Sequence, residues 1–151
     1  MTRILCLWLP NWPIQRLVHS RPELRARAVV LEAAGARGSR VAACCATAAA
    51  QGIRPEMPLA EAKALLRELV IVRHEPQADC QALRELAEAC EKFGPCVALE
   101  EAEEPESLLL DISNLTHLLG SDARLAERVE RFFTNQKYRV QIAVADTIGL
   151  A

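Results

Sequence analysis

Apolar and polar positions change period several times along this chain, and each change marks an element. Ile4–Leu9 is a short apolar run and predicts a buried strand. Ile14, Leu17 and Val18 then fall on one helical stripe, with Asn11 as the expected cap, Pro13 in the first turn and Pro22 as the stop. Ala28–Glu32 and Arg40–Cys44 predict two strands joined by a glycine-bearing loop, Ala34–Ser39. Ala46–Ala50 predicts a helix stopped at Gly52, and Pro58 opens another, Leu59–Arg67, with Leu59, Ala62 and Leu66 on one face. Val70–Arg73 predicts a strand.

The second part begins with an amphipathic helix, Ala78–Phe93, whose apolar face carries Leu83, Leu86, Cys90 and Phe93. Gly94 and Pro95 break it. Cys96–Leu99 and Leu108–Ile112 predict paired strands around Glu100–Glu106, a stretch with five glutamates in seven residues that reads as a solvated hairpin tip. Ser121 is placed to cap a helix running to about Thr134, with Leu125, Val129 and Phe132 inward. Tyr138–Ala145 alternates as a strand does. The order is a strand, a helix-rich insertion, a helix, two strands, a helix and a strand. Without the insertion this is β-α-β-β-α-β, the ferredoxin-like plan of an α+β fold. The expected organisation is a first strand in 1–10, the insertion in 11–74, and the rest of the ferredoxin-like unit in 75–151.

Composition narrows the classes. Of 151 residues, 51% are apolar and only 4% aromatic, so the core rests on Ala, Leu and Val. No run approaches a membrane span, and Met1–Leu9, stopped by Pro10, is too short for a signal peptide. A cytoplasmic protein with no membrane partner is the expectation. The six cysteines form no CxxC pair and read as small buried hydrophobes in a reducing compartment. Net charge is −2, but residues 1–55 hold eight arginines against two glutamates, and 56–151 hold ten Lys/Arg against eighteen Asp/Glu. This asymmetry of +6 and −8 points to an anionic partner for the first part.

Four segments carry a family resemblance: ILCLWLPNWPIQRL from Ile4, AACCATAAAQGIRPEMPLAEAKAL from Ala42, ESLLLDISNLTHLLG from Glu106, and IAVADTIGLA from Ile142. In this order they resemble the Y-family DNA polymerases, which copy damaged templates, and within them the catalytically inactive ImuB-type branch. The resemblance implies a polymerase palm with a fingers insertion, cut before the thumb and the DNA-gripping domain. It also implies a role in DNA repair and damage-induced mutagenesis as an adaptor, with DNA, an error-prone polymerase and the sliding clamp as partners.

Transfer of nucleotides by two metals needs oxygen ligands that hold both ions about 3.5–4 Å apart. In active relatives two acids lie on the first strand and two before the LLLD run. Carried over, these positions fall on Leu7 and Leu9, and on Glu106 and Ser107. The family's phosphate-holding Tyr and Arg fall on Ala46 and Ala49, a later lysine on Ile148, and the residue that screens the sugar on Trp12. The reading is therefore a polymerase-like chain without catalytic residues, metal or cofactor. Asp111, Asp146 and Glu100 are the remaining candidate ligands. Asp111 fits better as a partner of backbone N–H groups in the turn after its strand. His19, His74 and His117 are scattered, and Trp8 reads as core or interface. Arg37, Arg40 and Arg54, which with Gly38 lie in the fingers-like insertion, are the candidate DNA-facing residues, since arginine and backbone N–H groups hold phosphate without reading sequence. Two rivals stay open: a small active nucleotidyltransferase using Glu106, Asp111 and Asp146, and a ferredoxin-like domain that pairs through a sheet edge.

Overall fold

The computed structural model describes residues 2–115, 118 and 120–146, and the statements below concern these. They fall into two units, one within Met1–Pro10 and Gln77–Ala151, the other within Asn11–Pro76.

The first unit is built on a four-stranded sheet. Its strands are β1 (Ile4–Trp8), β5 (Val97–Leu99), β6 (Ser107–Asp111) and β7 (Gln141–Ala145), in the order β5-β6-β1-β7. All three pairings are antiparallel, and β1 runs at the centre with Leu7 opposite Leu108 and Ile142. Two helices complete the β-α-β-β-α-β plan, α4 (Pro76–Cys90) and a later one, α5 (Asp122–Asn135). Because side chains alternate along a strand, one face of the sheet carries Leu5, Leu7, Leu108 and Leu110, all closed to solvent. Leu83, Leu86 and Cys90 of α4, with Leu125, Val129 and Phe133 of α5, are the buried side chains these helices add, and Leu9, Phe93 and Ile112, which follow β1, α4 and β6 in sequence, are buried as well. Burial pushes the Cys90 thiol up to about 12. Ser121 caps α5 as expected, its Oγ accepting the backbone N–H of Arg124 at 3.2 Å. Phe133, not Phe132, points inward. Phe132 instead meets Phe93 edge to face at 5.4 Å.

The second unit has a three-stranded sheet of β2 (Val29–Gly35), β3 (Gly38–Cys44) and β4 (Val70–Arg73), ordered β3-β2-β4. The hairpin of β2 and β3 extends to a two-residue turn at Ala36 and Arg37, so the strands are longer than the alternation predicts. Beside β2 on the other side, β4 runs parallel to it. Helix α1 (Trp12–Ser20) and a short 3-10 turn, Pro22–Ala26, cover one face, where Ile14, Leu17 and Leu24 meet Val29 and Leu31. Helices α2 (Ala46–Ala50) and α3 (Leu59–Leu65) cover the other, where Ala48, Ile53, Leu59 and Ala62 meet Val30 and Val41. Gly52 stops α2 with φ +89°, a conformation that favours glycine. Two expectations are corrected. Asn11 is not a side-chain cap: it takes φ 54°, and its Nδ2 donates to the Cys44 carbonyl at 2.8 Å. Helix α3 ends at Leu65, because Leu66 turns to extended backbone and packs against the core of this unit.

Among the described residues no helix is long and apolar enough to cross a membrane.

Candidate functional site

The face of the first unit's sheet opposite its core is the place to look for chemistry. The pairing sets Cys6 and Trp8 of β1 on that face, with Ser107, Leu109 and Asp111 of β6 and Gln141 and Ala143 of β7. Trp8 is 43% exposed, the highest value among the residues of its strand. Its indole Nε1 donates to Glu106 Oε2 at 3.3 Å. Glu106 is bound to the first strand through its backbone too, its carbonyl accepting the Leu9 N–H at 2.9 Å.

Glu100 is not part of a solvated tip. Its Oε2 accepts the backbone N–H groups of Glu106 at 3.0 Å and Ser107 at 3.1 Å, closing the acidic loop onto the start of β6. Glu101, Glu103 and Glu104 stay exposed. Burial pushes the Cys6 thiol up, Glu100 adds to the effect, and a hydrogen bond with Ser107 opposes it.

A pair of divalent cations does not fit this donor set. Leu7 and Leu9 are both closed to solvent, and neither has an oxygen to offer. The β1 side chain that meets Glu106 is Trp8, whose indole is a donor only. Ser107 offers a hydroxyl, and Glu100 commits its Oε2 to two backbone N–H groups. That leaves one carboxylate, Glu106, where bridging two ions calls for several.

The acids of the rival enzyme reading are not brought together either. Asp111 stands at the far end of β6 from Glu106, about 17 Å away at the usual strand rise. Its Oδ1 accepts the Ser113 N–H at 3.0 Å and the Ser113 hydroxyl at 2.5 Å, as the turn reading expected. Those bonds hold the Asp111 carboxyl below its ordinary range. Asp146 is ion-paired with Arg3 at 2.7 Å, and Arg3 also grips Asp122 at the start of α5.

In the second unit Arg37 sits at the tip of the β2–β3 hairpin and Arg54 in the loop after α2, both exposed. Arg40 differs from them, since its guanidinium pairs with Glu56 at 2.7 Å. Gly38, the first residue of β3, follows the turn directly with φ +102°. Ala46 and Ala49 are both exposed on α2, and that surface carries Thr47 and Ala50 but no cation. Trp12 is fully buried. Ile148 and His117 lie outside the described residues.

With this geometry in hand, comparison with known proteins decides the family. The family model described as impB/mucB/samB, or IMS, matches residues 7–151. The chain belongs to the impB/mucB/samB family. Its IMS relatives include Protein ImuB of Caulobacter vibrioides, 34% identical over 100 residues, which are 66% of this chain and 21% of that protein. DNA polymerase IV of Pseudomonas syringae pv. tomato is 29% identical over 119 residues, 79% of this chain and 33% of that protein. The chain thus spans between a fifth and a third of the relatives it matches. Among solved structures, a post-insertion binary complex of Dbh DNA polymerase superposes with a TM-score of 0.84 at 15% identity, covering 99% of this chain and 43% of that one. DinB from Sulfolobus solfataricus gives a TM-score of 0.78 at 15% identity, with 99% and 43% covered. The fold of this IMS chain is therefore that of the palm and fingers of Y-family polymerases, as the sequence resemblance implied.

Sequence reasoning missed the pairing of Trp8 with Glu106 and the backbone role of Glu100. The first had a signal: Leu5, Leu7 and Leu9 alternate with Cys6 and Trp8, so the two sets face opposite ways. The second had none, because a glutamate that binds N–H groups six and seven residues on looks like any other in a run of glutamates.

Proposed function

We propose that this chain is a non-catalytic, polymerase-like scaffold that associates with DNA in the damage-induced (SOS) response, within translesion synthesis. In this reading Met1–Pro10 with Gln77–Ala151 serves as the palm, and Asn11–Pro76 as the fingers. The observation that carries it is Trp8 beside Glu106, with Leu7 and Leu9 turned into the core. Where an active palm gathers carboxylates, this one gathers an indole, a hydroxyl and a single carboxylate that accepts a hydrogen bond from that indole. The exposed alanines of α2 support the same reading, since they offer nothing to a triphosphate. Likeness to ImuB supports an adaptor that brings an error-prone polymerase and the sliding clamp to a lesion in the cytoplasm. Arg37 and Arg54 are the proposed phosphate contacts. Arg40, already neutralised by Glu56, contributes less.

The test is fluorescence anisotropy with a primer–template duplex over a salt series, with and without Mg²⁺ and the templated dNTP. Binding should weaken with salt and ignore metal and nucleotide. Arg37→Ala and Arg54→Ala should each lower the slope of log K against log salt by about 1. Tightening by Mg²⁺ with dNTP, or any extension of the primer, would refute the non-catalytic assignment.

A further inference from the structure

On the helical side of the first unit, away from the open sheet face, six residues line a groove of 360 Å³: Lys92, Phe93, Arg128, Arg131, Phe132 and Asn135. Two follow α4 and four come from α5. The groove exists because α5 turns Phe133 into the core and so leaves its neighbour Phe132 on the outside. Phe132 leans edge to face on Phe93 at 5.4 Å with an interplanar angle of 73°. The Lys92 ammonium lies 3.9 Å from the centre of the Phe132 ring and 5.1 Å from that of Phe93. Arg128 stands one helical turn before Phe132, and Arg131 stands next to it. Among the described residues, none of Lys92, Arg128 and Arg131 has a carboxylate within ion-pair distance. Three cations thus line a groove that also holds two aromatic rings.

We propose that this groove is a docking site for a protein partner that inserts an acidic side chain next to an aromatic or branched aliphatic one. The carboxylate answers the three cations, and its apolar neighbour covers the part of Phe132 left open to solvent. Charge pattern selects a peptide over nucleic acid. Glu127 and Glu130 are exposed on α5, interleaved with Arg128 and Arg131, and Glu88 and Glu91 are exposed beside Lys92. A continuous row of phosphates running along these helices would also meet these carboxylates, whereas one inserted acidic side chain enters a groove whose lining holds cations and no carboxylate. Base stacking is also obstructed, since the Lys92 ammonium occupies a face of the Phe132 ring.

The test selects peptides from a random heptapeptide display library on the full 151-residue chain, with R128E/R131E as the counter-target. Both arginines are exposed, so the doubly reversed chain should keep the wild-type far-UV circular dichroism spectrum. Enriched peptides should hold Asp or Glu adjacent to an aromatic or branched aliphatic residue. The best of them, labelled with fluorescein, should bind the wild-type chain and lose about tenfold in affinity with R131Q and more with R128E/R131E. Its version with amides in place of carboxylates should bind no better than R131Q binds the parent peptide. The single variant R131Q keeps the test decisive even where the double reversal perturbs folding. Selection without acidic enrichment, or peptide binding indifferent to both variants, would overturn the proposal. So would a single-stranded oligonucleotide that displaces the peptide and shows the same arginine dependence, because that assigns the groove to nucleic acid. The readout uses no duplex DNA, metal or dNTP, so its outcome is independent of the DNA-scaffold reading.

Discussion

Placing an aspartate at successive positions of β1 separates the two faces of the palm sheet. Leu7 is closed to solvent, so Leu7→Asp removes a core leucine at about 3–5 kcal/mol. It also leaves a buried carboxyl without a designed partner, at about 1–3 kcal/mol even when that group stays protonated. The sum, about 4–8 kcal/mol, takes up most of the roughly 5–15 kcal/mol by which a domain is stable. Trp8→Asp is a different perturbation. It gives up one hydrogen bond, about 1 kcal/mol, and the covered part of an indole that is 43% exposed, about 1–2 kcal/mol. The chain should stay folded. Combining W8D with S107E then gathers three carboxylates, with Glu106, on the open face. Urea unfolding followed by circular dichroism would rank the single variants, and Mn²⁺ binding followed by electron paramagnetic resonance would read the combination. L7D should unfold without a native baseline, W8D should shift the midpoint modestly, and W8D/S107E should bind Mn²⁺ at least about tenfold tighter than the wild-type chain. A folded L7D together with an unfolded W8D would refute the reasoning, since it would mean that β1 is turned by one residue and that Leu7 faces Glu106.

The core makes two further predictions. Phe133→Ala should cost about 3–5 kcal/mol in urea unfolding and Phe132→Ala only about 1–2 kcal/mol, with equal losses counting against the inward assignment of Phe133. The Cys90 thiol is raised from 9.0 to about 12 by burial, so its contribution to stability is whole below pH 9 and is lost as pH rises toward 12. The stability difference between the wild-type chain and Cys90→Ala should therefore fall by about 1.4 kcal/mol per pH unit across that window, and a difference that stays flat would show that the thiol ionises freely in the folded chain.

Much of the fold was legible because the apolar period changes cleanly from two to near four at each boundary. The Ser121 cap and the Asp111–Ser113 turn followed from residue chemistry within three positions of chain. What escaped depended on distant contacts. Counting from Leu125 and Val129, both Phe132 and Phe133 fall in phase with the helical stripe, and only packing chooses between them. Asn11 has the right side chain for a cap, but the neighbouring Cys44 carbonyl, thirty-three residues on, claims its amide instead. The site was hardest for a similar reason. Ile4–Leu9 is apolar almost throughout, so the run signals a buried strand without saying which residues look at β6. Family positions carried onto Leu7 and Leu9 describe which residue types are missing. The strand register adds what stands in the space, namely Trp8.

The alternation of β1 also bears on how such a chain could arise by descent. Leu5 and Leu7 hold the fold from one side, while Cys6 and Trp8 look outward from the other, so the two sets of positions answer to separate pressures. An outward residue as exposed as Trp8 can be exchanged at a small cost in stability compared with a core leucine. A lineage built on this strand can therefore change what its open face binds without passing through an unfolded ancestor.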